Sequence, residues 1–170
     1  MPSTKSLTEL TTPFASITAD LGQDVAWLKS LRLRALAQFN SQGLPAKKQE
    51  DWKYTSLWAL SQQEFTHQPD VSTVSAAQCE QLALLSDNYR VVIVDGAFSA
   101  ELSHLDNLQQ GLTINVLSVE QGLATAQPHL GQQIDITKAG FNALNTLLMN
   151  EGFVITVDSD VQVEKTIEVL

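Results

Sequence analysis

Residues 90–96 read Arg-Val-Val-Ile-Val-Asp-Gly, and this stretch decides the fold class. A run of four β-branched residues with no polar interruption is typical of a strand that is buried on both faces. The Asp-Gly pair that follows is a common turn, so the strand is predicted to end at Val94. The second half of the chain is therefore predicted to contain β-structure.

Upstream of this strand the sequence predicts a helix over residues 23–42. Apolar residues recur there at three- and four-residue steps and form one stripe: Val25, Leu28, Leu31, Ala35 and Phe39. Asp20 and Gln23 have the spacing of a capping box, and Gly43 followed by Pro45 predicts the end of the helix. Three basic residues are expected to lie off the stripe: Lys29, Arg32 and Arg34.

Shorter elements are predicted further along the chain. Ser75 and Gln78 form a capping box that opens a helix to about Ser86, with an inward face of Cys79, Leu82 and Ala83. A second strand over residues 112–117 and a short helix over residues 118–126 follow. A later helix carries an apolar stripe of Phe141, Leu144 and Leu148 and is predicted to end at Gly152.

After Gly152 the apolar pattern changes to a period of two, in three short pieces at residues 153–157, 161–163 and 167–169. Such short strands suit either a meander or the rungs of a β-solenoid. The sequence stops at Leu170 inside an apolar run, so we expect it to be the amino-terminal piece of a longer protein. An uncapped rung exposes strand edges, which predicts that residues 153–170 are either poorly ordered or paired with the same segment of a second molecule.

Composition limits the possible classes of function. The 170 residues include 10 basic and 19 acidic side chains, a formal charge of −9, and this argues against a general nucleic-acid binder and against binding to anionic membranes. The one cysteine, Cys79, cannot form an internal disulfide, so a cytoplasmic protein is expected. Basic residues concentrate in residues 29–53, six against two acidic ones, and this segment is either a solvated face or a partner contact.

The residues alone indicate no catalytic, cofactor-binding or metal site. No glycine-rich phosphate loop follows the predicted strand. Asp95 could serve a small metal-dependent enzyme together with Glu101, but the turn explains Asp95 without such a role. The three histidines, His67, His104 and His129, lack the close spacing of zinc ligands, and Cys79 is expected to be a small core side chain.

Residues 44–58 hold two tryptophans and one tyrosine among several lysines. Trp52, Lys53 and Tyr54 beside Lys47 and Lys48 could stack nucleic-acid bases on a basic groove. The acidic residues at 50 and 51 and the overall charge oppose this, so the segment is predicted to be a packed structural loop. A free-standing adaptor that binds a protein through this loop is the alternative.

Four segments form a set with a characteristic order and spacing. They are Leu-Pro at 44–45 with Glu-Asp-Trp-Lys-Tyr-Thr-Ser-Leu at 50–57, Val-Val-Ile-Val-Asp-Gly-Ala-Phe-Ser-Ala-Glu-Leu-Ser at 91–103, Phe-Asn-Ala-Leu-Asn at 141–145 with Gly-Phe-Val-Ile at 152–155, and Val-Gln-Val-Glu at 161–164 with Ile-Glu-Val-Leu at 167–170. Together they resemble the SufB/SufD family of iron–sulfur cluster assembly proteins, and the likeness is greater to SufD than to SufB. Asp158 and Thr166 depart from the family, which often has proline there.

The resemblance implies an α+β protein, in which a helical and small α/β amino-terminal region leads into the first rungs of a right-handed parallel β-helix. We expect a frayed leader over residues 1–20, a mixed domain over residues 21–135 and the start of the β-helix core over residues 136–170. The implied role is a non-enzymatic scaffold or accessory subunit of a SufB–SufC–SufD complex that assembles and transfers clusters, with ATP hydrolysed by SufC. The cluster belongs to the full assembly and no cofactor is expected on this chain, because the family's cluster-related positions lie beyond Leu170.

Overall fold

A computed structural model describes residues 24–61 and 74–170, and their secondary structure is mixed. The helices are α1 (Ala26–Gln42), α2 (Trp58–Ser61), α3 (Ala76–Leu82), α4 (Glu120–Ala126) and α5 (Gly140–Leu148), with a 3₁₀ turn at Glu50–Trp52. The strands are β1 (Asn88–Val91), β2 (Ile93–Val94), β3 (Ala97–Phe98), β4 (Leu112–Val116), β5 (Phe153–Val157) and β6 (Thr166–Val169). The predicted α+β class is confirmed.

These residues divide into two compact units, each made of two separate stretches of the chain. Unit 1 contains residues 24–61 and 127–150, and unit 2 contains residues 74–126 and 151–170. The predicted leader and the His67 position lie outside the described residues. The predicted division into domains at residue 135 stays a prediction.

Helix α1 provides the core of unit 1. The predicted stripe is confirmed at Leu28, Leu31, Ala35 and Phe39, which are all buried. The helix ends where Gly43 takes a φ of 66° and its N–H donates to the Phe39 carbonyl. The expected capping box lies outside the described residues, and Val25 occupies the N-cap position without a side-chain hydrogen bond.

Arg32 corrects the prediction for the basic face of α1. Its side chain is buried rather than solvated, and Nη2 donates to the Met149 carbonyl at 2.5 Å. Arg32 lies one residue after Leu31 and four after Leu28, so it borders the buried stripe on the helix surface. The Met149 carbonyl, just after α5, gives the guanidinium a partner there.

Helix α5 packs against α1 through its smallest residues. A Cβ atom at Gly140 would lie 1.9 Å from the Gly43 carbonyl oxygen, so the two backbones meet in a space that only glycine permits. This approach turns the face of Gly140, Ala143 and Leu147 inward, and all three residues are buried. The residues of the predicted stripe, Phe141, Leu144 and Leu148, are half-buried and line an open groove of about 470 Å³. The predicted helix end at Gly152 is wrong, since α5 ends at Leu148.

Unit 2 is built on three two-stranded sheets. β1 pairs with β6 in parallel, β2 pairs with β3 antiparallel, and β4 pairs with β5 antiparallel. Among the described residues of unit 2, the buried apolar side chains all lie in the stretch 74–126: Cys79, Tyr89, Val91, Val92, Leu112, Leu117, Leu123 and Ala126.

The strand predicted over residues 90–94 is divided in two at Val92. The Val92 N–H donates to Ser103 Oγ at 2.9 Å, and its carbonyl accepts from the Ser99 N–H at 2.9 Å. The predicted Asp-Gly turn is confirmed, because Asp95 and Gly96 have φ values of 50° and 86° and join β2 to β3. Positive φ at both central residues is the requirement of a type I′ hairpin turn.

Residues 153–170 pair within the chain. β5 and β6 are well-formed strands whose partners are β4 and β1, so the expected poor order and a self-contained meander are both wrong, while pairing of these strands with a second molecule stays a prediction. Residues 161–163 are not a strand. The Gln109 side chain bonds to the backbone there instead, donating to the Gln162 carbonyl at 2.9 Å and accepting from the Glu164 N–H at 2.8 Å.

Helix α3 begins as predicted and ends earlier. The capping box of Ser75 and Gln78 is present, with hydrogen bonds in both directions. The predicted extension to about Ser86 is wrong, since the helix ends at Leu82. In a longer helix the Leu84 N–H would donate to the carbonyl of residue 80, but it donates to Glu168 Oε1 at 2.7 Å.

Candidate interaction surfaces

A buried ionic cluster connects β1, β6 and the end of α3 in unit 2. Arg90 and Glu168 face each other in the β1–β6 register, and they are 2% and 9% exposed. Arg90 Nε donates to Glu168 Oε2 at 3.3 Å, and Arg90 Nη1 donates to Glu80 Oε1 at 2.7 Å. The hydrogen bond with Glu80, followed by the one with Glu168, raises the pKa of Arg90, so the guanidinium is charged throughout the physiological range.

The same cluster fixes the backbone that follows α3. Glu168 accepts from the Leu84 N–H and, at 2.5 Å, from Asn88 Nδ2. Asn88 Nδ2 and Arg90 Nη2 also donate to the Leu85 carbonyl, at 2.8 and 3.5 Å. Buried carboxylate and guanidinium groups therefore position a loop at the protein surface.

This loop presents leucines to solvent, and we call residues 82–85 the leucine segment. Leu82 is 67% exposed and Leu84 is 87% exposed, and Leu85 is also exposed. The predicted inward face of α3 is correct for Cys79 and wrong for Leu82. Ala83 takes an extended conformation and the Leu84 N–H bonds to Glu168, so Leu84 and Leu85 lie outside the helix, whereas Leu82 is exposed within it.

In unit 1, residues 47–58 form a second exposed surface, which we call the aromatic-basic loop. Trp52 fits the predicted packed loop, because its ring lies 5.3 Å from that of Phe141. Tyr54 and Trp58 do not, since they are 91% and 68% exposed. Lys53 forms an ion pair with Glu50 and lies over the Tyr54 ring at 5.0 Å.

The two residues considered for a small metal-dependent enzyme, Asp95 and Glu101, both lie in turns. Asp95 occupies the first position of the β2–β3 turn, and Glu101 is exposed in the turn that follows β3. Within residues 24–61 and 74–170, no group of three or more histidine, cysteine, aspartate or glutamate side chains could hold a metal ion. The structure does not bring Asp95 and Glu101 together with a third ligand.

The remaining metal-ligand candidates are also separate. Cys79 is buried in α3, as the sequence predicts. His104 forms a backbone bridge with Arg90, donating at 2.8 Å and accepting at 3.0 Å. His129 is exposed in a turn.

Sequence reasoning missed the ionic cluster. The alternation of Ile167 and Val169 predicts that Glu168 faces solvent, whereas its register with Arg90 buries it. The available signal was Arg90 itself, a charged residue at the start of the most apolar strand in the chain.

Comparison with known proteins decides the family. Residues 3–169 match the family described as SufBD protein N-terminal region. The chain belongs to this SufBD family. Among its relatives, iron–sulfur cluster assembly protein SufD of Escherichia coli strain K12 is 35% identical over 91 residues, which cover 54% of this chain and 21% of that protein. An iron–sulfur cluster assembly SufBD family protein of Synechocystis is 28% identical over 152 residues, which cover 88% of this chain and 33% of that protein.

The matched regions are thus about a fifth and a third of the length of these two SufBD relatives. The resemblance found from the four sequence segments is confirmed at the level of the family. No helix in the described residues combines the length and the apolar character needed to cross a membrane.

Proposed function

We propose that this chain is the amino-terminal region of a SufD-like scaffold or accessory subunit that acts in iron–sulfur cluster assembly. The observation that carries the proposal is the family match over residues 3–169, together with the identity to a protein named as SufD. The proposed setting is a cytoplasmic SufB–SufC–SufD complex, in which a SufC-like ATPase supplies the energy and a SufB-like protein is the direct partner.

The parallel pairing of β1 with β6 supports a β-helix that starts in this chain. Asn88–Val91 and Thr166–Val169 lie far apart in sequence and still form a parallel pair. Among the described strands β6 pairs on one edge alone, so its other edge is open to a further parallel strand. In the proposed protein the next rung adds to this edge and covers Val169, which is half exposed here.

The proposed role is structural rather than catalytic, and the cluster is cargo of the whole assembly. A [4Fe–4S] cluster generally needs four thiolates or close substitutes, and the chain has one cysteine, which is buried. Anaerobic reconstitution of the purified chain is expected to give no stoichiometric absorbance near 400 nm that depends on Cys79.

The test is made in the organism that carries the gene. Removing the coding region for residues 24–170 in frame is expected to lower the activity of a [4Fe–4S]-dependent dehydratase when iron is limiting, while a dehydratase without a cluster keeps its activity. Affinity purification of the tagged, intact gene product should recover SufB-like and SufC-like proteins. Unchanged activity of the cluster enzyme under iron limitation, with neither protein recovered, would refute the proposed function.

A further inference from the structure

The open groove on α5 is an apolar surface of unit 1, and we call it the α5 groove. It has a volume of about 470 Å³ and is lined by Phe141, Leu144, Asn145, Leu148 and Met149, none of which is charged. Its apolar side chains are only half-buried. An occupant must therefore present apolar side chains at helical spacing and bring little charge.

The sequence before α1 contains a matching apolar stripe. Phe14, Ile17 and Leu21 recur at a three-residue and then a four-residue step, which is the spacing of one face of a helix. The stripe of the groove, which begins at Phe141, has the same two steps and the same order of an aromatic residue followed by two aliphatic residues. Two helices that run in the same direction can therefore bring these stripes together level by level.

The residues around this stripe predict a helix over residues 13–21. Thr12 is a preferred N-cap residue, Pro13 is preferred at the first helical position, and Gly22 is typical of the residue that follows the last turn. Asp20 is the one charged residue in this range, so the segment brings little charge to an apolar groove.

The connection from this segment to α1 is short. α1 begins at Ala26, so residues 22–25 are left to join the two helices. Connections of this length usually join antiparallel neighbours. Four residues reach at most about 14 Å, which exceeds the roughly 8–10 Å between the axes of packed helices.

The start of α1 lies beside the end of α5. Gly43, just after α1, meets Gly140 at the start of α5, whereas Arg32, in the first half of α1, bonds to the Met149 carbonyl just after α5. The two helices are therefore antiparallel. A helix that precedes α1 and runs antiparallel to it starts its connection near the end of α5 and runs parallel to α5.

From the matching stripes and this chain direction we propose that residues 13–21 bind in the α5 groove as a helix parallel to α5. Leu21 then lies level with Leu148, next to the connection, and Phe14 lies level with Phe141. The segment and α5 have nine residues each and would both be about 13.5 Å long. The contact is independent of the proposed function, and the frayed leader expected from composition is the competing outcome.

The first test is amide exchange of the purified chain, followed by mass spectrometry of its peptides. We expect residues 13–21 to exchange at least about tenfold more slowly than an unstructured chain, because burial of even one large apolar side chain favours the bound state by about that factor. Exchange at the rate of an unstructured chain, as in a frayed leader, overturns the proposal.

A substitution in the groove shows whether this protection depends on α5. Leu144→Gln places a polar amide at the centre of the groove and is expected to remove most of the protection of residues 13–21. Leu33→Gln is the matched control, because Leu33 is an exposed leucine of α1, and this variant should keep the protection within about twofold. Unchanged protection of α1 peptides shows that unit 1 is still folded. Protection of residues 13–21 that survives Leu144→Gln contradicts binding in the groove.

Cysteine cross-linking tests the register in a second, independent way. Ile17→Cys/Leu144→Cys joins two positions that the proposal places level with each other, and we expect a disulfide within one molecule under mild oxidation. Ala19→Cys/Leu144→Cys is the control, since residue 19 lies on the opposite face of the same helix and a disulfide needs Cα atoms within about 7 Å. Cys79 stays in both variants because it is buried in α3. Equal rates for the two pairs, or a cross-link between two molecules, would overturn the proposed contact.

Discussion

The buried ionic cluster gives the sharpest prediction for stability, through the substitution Glu168→Gln. The glutamate accepts three hydrogen bonds, from the Leu84 N–H, Asn88 Nδ2 and Arg90 Nε. Glutamine keeps the size of the side chain, but it removes the charge that balances Arg90 and places an NH₂ group among donors. Breaking a buried ion pair on one side costs about 3–5 kcal/mol. Because Arg90 keeps its hydrogen bond with Glu80, we expect the lower end of that range, about 3 kcal/mol.

A neighbouring ion pair supplies the matched control. Lys165 Nζ lies 2.6 Å from Asp87 Oδ1, next to the same two strands, but both side chains are largely exposed. Exposed pairs contribute about 0–1 kcal/mol, so Asp87→Asn is expected to change stability much less than Glu168→Gln. The two variants each neutralise one carboxylate near β1 and β6, and they differ in burial.

The measurement must separate the two units. All three tryptophans, Trp27, Trp52 and Trp58, belong to unit 1, so unfolding followed by tryptophan fluorescence reports on that unit. Native-state amide exchange of peptides from β1 and β6 reports on unit 2. For Glu168→Gln we expect exchange in these peptides to accelerate about 100-fold, since each 1.4 kcal/mol is a factor of ten. Protection equal to that of Asp87→Asn would refute the reasoning that the cluster fastens β6 to β1.

Three further predictions follow from single contacts. Gly140→Ala should lower the stability of unit 1 by about 1–3 kcal/mol, the cost of overpacking, whereas the same substitution at an uncrowded helix position would raise stability. The direction in which the midpoint of a urea melt shifts distinguishes the two cases. Trp52→Ala should destabilise unit 1 by more than the roughly 0.5 kcal/mol of a surface change and by less than the roughly 3–5 kcal/mol of a fully buried ring, because Trp52 is half-buried against Phe141. The same urea melt measures this loss, and a value outside that interval would contradict the packing. Desolvation raises the pKa of Glu151, so the folded state is favoured below the usual glutamate pKa, and this advantage is lost as the pH rises through the raised pKa. Glu151→Gln should therefore stabilise the chain near neutral pH and lose that gain in acid. Equal stability of the wild type and the variant at every pH would contradict the assignment.

Features that depend on neighbouring residues could be predicted from the sequence. The stripe of α1 and the turn at Asp95-Gly96 follow from periodicity and from the conformational freedom of glycine, and both are present. The capping box at Ser75 is equally local. These features need no knowledge of what the rest of the chain does.

Features that depend on distant residues could not be predicted in this way. The inward face of α5 is selected by the contact of Gly140 with the Gly43 carbonyl, although Phe141, Leu144 and Leu148 are more hydrophobic than the face that is buried. Likewise, β5 and β6 show a clear period of two, but the pattern does not reveal that their partners are β4 and β1. Side chains alternate between the two faces of β6, and the structure turns the Glu168 face inward, so Glu168 is buried while Val169 is half exposed.

The leucine segment comes from this same competition between local and distant interactions. Local spacing favours an α3 that continues beyond Leu82, and in such a helix Leu84 and Leu85 would also be helical. The Leu84 N–H, which would donate to the Glu80 carbonyl in a longer helix, donates to Glu168 instead. Glu168 can accept this bond in a buried position because Arg90 and Asn88 stabilise its charge. The cluster therefore ends the helix and leaves Leu84 and Leu85 exposed after it. For this reason Glu168→Gln should disturb the leucine segment as well as the β1–β6 pair, whereas Leu84→Gln should alter the surface and leave the exchange protection of both strands unchanged.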